Sequence, residues 1–341
     1  MKERVLVTGG AGYIGTHTVV ELINAGYDVV VVDNFSNSEP STLEGVKKIL
    51  GMDVPFEQVD CCDKAAFDKV FKTYKFNSVI HFAAYKAVGE SMDEPLKYFH
   101  NNFLSLINLL ELMKENGVKN VVFSSSATVY GQPDELPATE ATPRKMANSP
   151  YGYTKQVGED MLEQTTTALK GAITGIALRY FNPVGAHPSA LIGELPKGVP
   201  NNLVPFVTQT AAKVRECLSV FGNDYDTEDG SALRDYIDVV DLAKAHVVAI
   251  GRLIGGKNKA DYEFFNIGTG KPVSVLELIN VFEKVNEVTV NHKIAPRRPG
   301  DVEKIWADTT LANEELGWKA ERELEDTMRS AWLWEKHVRG L

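Results

Sequence analysis

The run Thr8-Gly9-Gly10-Ala11-Gly12-Tyr13-Ile14-Gly15 constrains the fold more than any other part of this chain. It stands between Arg4–Thr8, an apolar run that reads as a buried strand, and Ile14–Ala25, whose apolar periodicity reads as a helix closed by Gly26. Gly10, Gly12 and Gly15 have G-x-G-x-x-G spacing, and Gly9, Gly12 and Gly15 have the related G-x-x-G-x-x-G spacing. Glycines at a strand-to-helix turn permit a tight bend, close approach of the backbone to a pyrophosphate, and close packing of helix on strand. The helix start then offers free N–H groups and a partial positive charge to phosphates. A second strand is expected over Asp28–Val32, and Asp33 ends it, 18 residues after Gly15. A carboxylate there accepts hydrogen bonds from ribose hydroxyls and repels a 2′-phosphate, which selects NAD over NADP. Glycine clusters occur in many turns; the flanking strand, helix and acid make a dinucleotide site the expectation.

The same strand pattern recurs at Ser78–Phe82 and Asn120–Ser124, with helical periodicity over Pro95–Asn116 between them. Strands alternating with helices predict an α/β fold, a doubly wound parallel sheet (Rossmann) with helices on both faces. After about residue 180 the texture changes, because Pro183, Pro188, Pro196, Pro200 and Pro205 interrupt the pattern. Helices are expected again at Ala243–Ile254, Val275–Asn286 and Glu314–His337. The expected organisation is a NAD-binding domain over 1–180, with some later segments crossing back, and a smaller α/β C-terminal domain over 181–341 that mainly binds substrate.

Thirty-six Lys and Arg against 46 Asp and Glu give a net charge of −10, which argues against a general nucleic-acid binder. It does not exclude an anionic ligand, since a few arginines suffice to bind phosphate. Cys61 and Cys62 are adjacent and Cys217 is distant, so no metal-ligand spacing exists and no metal is expected. An odd cysteine count, no secretory leader after Met1 and no apolar run of membrane-spanning length together predict a cytoplasmic protein without membrane contact.

Tyr151 and Lys155 lie at i and i+4 in Pro150-Tyr151-Gly152-Tyr153-Thr154-Lys155, a spacing that puts both on one face of a helix. A neighbouring ammonium is expected to draw the phenol toward useful acid–base range. Tyr153 is two residues off Lys155 and faces elsewhere. Upstream, Ser124, Ser125 and Ser126 end a buried strand, at the sheet edge where such folds bind ligands. Ser126 is the candidate for chemistry, and local backbone bonding is the expectation for Ser124 and Ser125. Read from residue type alone, Arg234 and Arg298 are as well explained by ion pairs with Asp235 and Asp301 as by a diphosphate. His81 reads as a packed strand-end residue. Phe99, Phe103, Leu106 and Leu110 form a helical apolar stripe that by itself reads as core packing.

TGGAGYIG, DNFSNS, HFAAYKAVGES, FSSSATVYG, SPYGYTK, RYFNPVGAHP, NNLVPF, FGNDYDTEDG, RDYIDVVDLA and APRRPGD…WAD follow one another over Val5 to about Trp334. In this order and spacing they resemble the UDP-glucose 4-epimerase family of extended short-chain dehydrogenases/reductases. KAVGES, RYFNPVGAHP and FGNDYDTEDG are the stretches most specific to it. The resemblance implies bound NAD, a UDP-sugar substrate and a homodimer, with the stripe of Phe99, Phe103, Leu106 and Leu110 at its subunit interface. It implies Tyr151 as the base toward the 4′-hydroxyl of the sugar, Lys155 on the nicotinamide ribose, and Ser126 on the same 4′-oxygen. Gly9, Gly12, Tyr13, Ile14 and Gly15 match pyrophosphate positions, and Asp33, Asn34, Asn37 and Ser38 the adenosine ribose loop. Asp60 and Cys61 match the adenine pocket, and Phe82, Ala83, Ala84, Lys86, Asn101 and Phe181 the rest of the cofactor cleft. Asn182, Asn202, Leu203, Val220, Phe221, Arg234, Arg298 and Asp301 match sugar-nucleotide positions. Ile305 matches a gate for N-acetylated sugars, and isoleucine leaves dual specificity open. Nucleotide-sugar 4,6-dehydratases start with the same oxidation but carry Asp-Glu after the catalytic hydroxyl residue, where this chain has Ala127-Thr128. A silent NAD-sensing protein would most simply have lost Tyr151 or Lys155, and both are present.

Overall fold

Runs of Val and Ile, favoured in strands because branching at Cβ suits the pleated surface, alternate with amphipathic helices through the first half of the chain. The computed structural model describes residues 2–298 and 302–341, so Asp301 lies outside the described residues. In chain order the first half forms β1 (Arg4–Thr8), α1 (Tyr13–Asn24), β2 (Asp28–Asp33), α2 (Ser41–Leu50), β3 (Phe56–Gln58), α3 (Lys64–Tyr74), β4 (Ser78–His81), α4 (Val88–Asp93), α5 (Pro95–Asn116), β5 (Asn120–Ser126), α6 (Pro150–Leu169) and β6 (Thr174–Tyr180). The second half forms β7 (Asn182–Val184), α7 (Leu203–Ala211), β8 (Leu218–Phe221), β9 (Leu233–Asp238), α8 (Val239–Ile254), β10 (Tyr262–Ile267), β11 (Pro272–Ser274), α9 (Val275–Asn286), β12 (His292–Ala295), β13 (Lys304–Ile305) and α10 (Leu324–Arg339).

Seven strands make one parallel sheet in the order β10-β6-β5-β4-β1-β2-β3. Alternate residues feed opposite faces. Val5, Val7, Val29, Val31, Ile80 and Val122 pack with α1, α2 and α8, whereas Leu6, Val30, Val32, Val79, Val121 and Phe123 pack with α3, α5 and α6. A sheet covered on both faces needs apolar residues at successive positions, which is why these strands show no polar alternation. The connections run outward from β1 in both directions, so a crevice opens at the carboxyl ends of β1 and β4. The smaller lobe holds a four-stranded sheet (β11-β9-β13, with β7 on β9) and the pair β12-β8. Its core is Val204, Val207, Leu278, Ile279, Phe282, Met328 and Trp332.

Two expectations are corrected. Glu314–His337 is not one helix: a short π turn, Ala312–Leu316, stops at Gly317, whose φ of 76° is left-handed, and α10 begins only at Leu324. The intervening chain is held by Asp241, which accepts Trp318 Nε1 on its carbonyl at 3.0 Å and the amides of Glu321 and Arg322 on its carboxylate at 2.8 Å. Strand β5 also runs two residues past Ser124, which makes Ser126 both its last residue and the N-cap of the 3-10 turn Ala127–Tyr130.

Candidate active site

The turn after β1 is built so that a side chain cannot be tolerated. A Cβ on Gly9, where φ is +68°, would lie 2.7 Å from the Ala83 nitrogen, and one on Gly15 would lie 2.4 Å from the Gly9 carbonyl oxygen. Gly12 is the N-cap of α1 and brings no capping side chain, so the first helical amides are left to an outside acceptor. At the end of β2, Asp33 Oδ1 accepts the Phe35 amide at 2.9 Å and the Ser38 hydroxyl at 2.8 Å, while Oδ2 accepts the Ala11 amide at 3.1 Å. The carboxylate thus joins the ribose loop to the glycine turn and keeps lone-pair capacity for a hydroxyl. Asn34 Nδ2 donates to Asp60 at 3.1 Å, which draws the adenine side together. A cleft of about 720 Å³ runs along these residues, room for a ligand of dinucleotide class. The open first turn of α1, the glycine cradle and the ribose-facing acid fit NAD.

The cleft brings together every cofactor residue anticipated from the sequence: Gly9, Gly12, Tyr13, Ile14, Gly15, Asp33, Asn34, Asn37, Ser38, Asp60, Cys61, Phe82, Ala83, Ala84, Lys86, Asn101 and Phe181 line it with Ser126, Tyr151 and Lys155. Its far end is lined by Asn182, Asn202, Arg234, Arg298 and Ile305. Leu203, Val220 and Phe221 lie off its wall: Leu203 and Val220 pack into the core of the smaller lobe, and Phe221 takes the Arg298 guanidinium over its ring at 5.6 Å. Arg234 Nη1 donates to the carbonyls of Leu233 at 2.8 Å and Glu303 at 3.2 Å. Asp235 is fully buried, its carboxylate accepting Thr269 N at 2.8 Å, Thr269 Oγ1 at 2.7 Å, Gly270 N at 2.9 Å and Ala307 N at 3.2 Å. The surface ion pair suggested for Asp235 by sequence proximity is therefore replaced by a buried structural carboxylate.

Helix α6 carries the reactive pair. Ser149 caps it, accepting the Gly152 amide at 3.1 Å, and Pro150 occupies its first turn, where a missing N–H costs nothing. Tyr151 stands one turn before Lys155 on the cleft side, while Tyr153 points outward against Phe99. Lys155 is buried; its Nζ donates to the Ser124 carbonyl at 2.6 Å and sits 5.8 Å from the centre of the Tyr151 ring. Burial pulls the ammonium down to about 7, against an upward pull from Glu159. Burial likewise pushes the Tyr151 phenol up to about 12, with a hydrogen bond from Ser126 opposing it. Desolvation thus opposes the phenolate that a neighbouring ammonium is expected to favour, and in the protein by itself Tyr151 is a neutral donor.

Of the neighbouring serines, Ser125 differs from expectation, its hydroxyl donating to Glu159 Oε1 at 2.5 Å, and the backbone carbonyl of Ser124 accepts Lys155 Nζ. His81 is buried with its Nδ1 2.7 Å from Thr8 Oγ1, and desolvation lowers it to about 3, which makes it a neutral structural group. Sequence reasoning passed over a loop that crosses the cleft. Lys197 Nζ donates to the Phe35 carbonyl at 2.9 Å and pairs with Glu39 at 3.3 Å. Glu194 accepts Lys86 Nζ at 3.1 Å and Asn202 Nδ2 at 2.6 Å, and its carbonyl accepts Trp334 Nε1 at 2.9 Å. Apart from Asn202 these partners lie outside the loop, in Phe35, Glu39, Lys86 and Trp334, so nothing local in Glu194–Asn202 signals them.

A glycine turn for a dinucleotide, with Ser126, Tyr151 and Lys155 beside it on a doubly wound sheet, defines the extended short-chain dehydrogenase/reductase class. Comparison with known proteins narrows this. The family described as GDP-mannose 4,6 dehydratase matches residues 6–331. The UDP-glucose 4-epimerase of Homo sapiens is 50% identical over 342 residues, covering 98% of this chain and 97% of that protein. That of Bacillus subtilis is 51% identical over 331 residues, covering 97% and 96%. A solved UDP-glucose 4-epimerase from Bifidobacterium longum, in complex with NAD+ and UDP, superposes with a TM-score of 0.94 at 47% identity, covering 98% of this chain and 99% of that one. The chain belongs to the GDP-mannose 4,6 dehydratase family and, within it, to the UDP-glucose 4-epimerases.

Proposed function

We propose that this protein interconverts UDP-glucose and UDP-galactose by inverting C4 through a 4-keto sugar, with NAD retained as a prosthetic group. The observation that carries this is the grouping of Ser126, Tyr151 and Lys155 at the point where the cofactor end of the cleft meets the end lined by Asn182, Asn202, Arg234, Arg298 and Ile305. Tyr151 takes the proton of the 4′-hydroxyl and returns it; Ser126 hydrogen-bonds the same oxygen; Lys155 holds the nicotinamide ribose. Bound NAD supplies a ring that accepts and returns hydride, and its positive charge favours the phenolate that burial alone disfavours. The glycine turn with Tyr13 and Ile14 holds the pyrophosphate. Asp33, Asn34, Asn37 and Ser38 hold the adenosine ribose, and Asp60 and Cys61 border the adenine. Phe82, Ala83, Ala84, Lys86, Asn101 and Phe181 complete the wall. Arg234 and Arg298 are assigned to the diphosphate, since guanidinium fits phosphate oxygens with paired donors. In this assignment residues 1–180 serve mainly the cofactor and 181–341 mainly the sugar nucleotide.

Elimination of water is disfavoured, because Ala127 and Thr128 follow Ser126 where a dehydratase places Asp-Glu. Incubating the purified protein with UDP-galactose, without added cofactor, is expected to yield UDP-glucose; no turnover even with NAD supplied overturns the assignment. UDP-N-acetylgalactosamine run in parallel tests whether Ile305, buried on the cleft wall, admits the larger sugar.

The same reading makes the protein a cytoplasmic homodimer of galactose metabolism. Three free thiols accord with a reducing compartment. On α5, Leu106 and Leu110 are core residues, but Leu96 (77% exposed), Phe99, Phe103 and Ile107 (40%) lie together beside Tyr153 (49%) on α6. That outward apolar face fits a second copy of α5 and α6. Analytical ultracentrifugation is expected to give twice the mass of the 37.6 kDa chain, and a monomer at micromolar concentration rejects the interface.

A further inference from the structure

Glu159 follows Lys155 by one turn of α6 and Tyr151 by two, so the three share a face. It is buried, and its carboxylate accepts Ser125 Oγ at 2.5 Å, Arg179 Nε at 2.9 Å and Arg179 Nη2 at 2.6 Å. Arg179, buried on β6, donates through Nη1 to the Tyr130 hydroxyl at 2.9 Å and lies 4.1 Å from the Phe264 ring centre. A buried ion pair of this kind is often no more stabilising than apolar residues of the same volume, so stability is a weak reason for its presence. Its position supplies a stronger one. Ser125 lies between Ser124, whose carbonyl receives Lys155, and Ser126, whose hydroxyl bonds Tyr151. Through Ser125, Glu159 ties the end of β5 to the helix bearing the other two reactive groups.

We propose that Glu159, with Arg179 as its fixed counter-ion, is a positioning residue: it clamps the end of β5 onto α6 and holds the Lys155 side chain as an ammonium. This rests on the acid–base assignment made above. The titratable groups facing Lys155 are Tyr151 and Glu159 on α6 and His81 on β4, with Arg179 on β6 and Arg144 lying behind Glu159. His81 is kept neutral by burial, and Glu159, ion-paired with Arg179, is the carboxylate in this set. The sign follows. Activity needs the ammonium and is lost as pH rises through the Lys155 pKa in the folded protein. Removing the anion lowers that pKa, so the alkaline limb moves to lower pH.

The test compares pH–rate profiles of parent, Glu159→Gln, Glu159→Asp and Ser125→Ala with NMR titration of the Lys155 ¹³Cε resonance in substrate-free protein, assigned by its loss in Lys155→Arg. In Glu159→Gln the limb and the NMR midpoint are both expected to fall by about one pH unit, with kcat down roughly tenfold to a hundredfold and KM little changed. Glu159→Asp keeps the charge and is expected to keep the midpoint while losing kcat. Ser125→Ala, which cuts only the tether, is expected to lower kcat with the midpoint unmoved. Should Glu159→Gln not fold with Arg179 left unpaired, Glu159→Gln/Arg179→Met is read in its place. An unmoved midpoint on loss of the carboxylate overturns the charge assignment, and parental kcat in Ser125→Ala overturns the clamp. A parent without turnover defeats the functional reading instead, and the NMR midpoint still decides the role of Glu159.

Discussion

Tyr151→Phe is expected to lower turnover by about 10²–10⁴-fold, the usual range for loss of a positioned acid–base group. The fold should be untouched. The ring keeps its packing beside Lys155, and the group removed is a cleft-facing hydroxyl whose side-chain partner is Ser126, itself already accepting the Thr128 amide at 3.2 Å. The stability change is expected at about 1 kcal/mol or less, and the content of bound NAD should equal that of the parent. Steady-state rates with UDP-galactose, beside a thermal melt and nucleotide release on denaturation, give all three quantities. A near-parental rate would remove Tyr151 from the chemistry. A loss of rate accompanied by loss of NAD would place its role in binding.

Gly15→Ala is expected to act by a different route. The added methyl would stand 2.4 Å from the Gly9 carbonyl oxygen and 2.7 Å from Gly10 Cα, both backbone atoms of the turn, so no flexible side chain can give way. Either α1 moves off β1 or the turn opens, and each spoils the surface offered to a pyrophosphate. Overpacking of this kind costs about 1–3 kcal/mol, a fall of several degrees in Tm for a chain of this size. Bound dinucleotide should fall at least about tenfold, the equivalent of roughly 1.4 kcal/mol of binding free energy. A folded variant that purifies with its full complement of NAD shows that the turn does not hold the phosphates.

Much of this site could be read before any coordinates because its chemistry is local. Strand, glycine turn, helix and Asp33 occupy fewer than forty consecutive residues, and Tyr151 and Lys155 are one helical turn apart. What escaped was non-local. The partner of Ser125 is Glu159, on the next long helix, and a serine at a strand end looks equally ready for its own backbone. The loop through Glu194 and Lys197 is tied down by Phe35, Glu39, Lys86 and Trp334, drawn from both ends of the chain. Burial was illegible for the same reason. The i, i+4 spacing shows that Lys155 is near Tyr151, but not that both sit where desolvation disfavours their charged forms. Val220 fitted a binding position by motif, yet its side chain belongs to the core of the smaller lobe. The break after Leu316 went unseen because Gly317 sits inside an otherwise helical pattern, and its effect depends on Asp241 far upstream.

Strand β10 has a consequence for how such a chain is made. It pairs with β6 from Tyr262 on Gly175 to Ile267 on Tyr180, and so supplies the outermost strand of the large sheet from residues synthesised long after the other six strands. Until it emerges from the ribosome, β6 presents a row of unsatisfied amides and carbonyls, the kind of margin on which stray strands add. A nucleotide half that assembled before that point would carry β6 as its bare edge, a role that passes to β10 once the last strand docks.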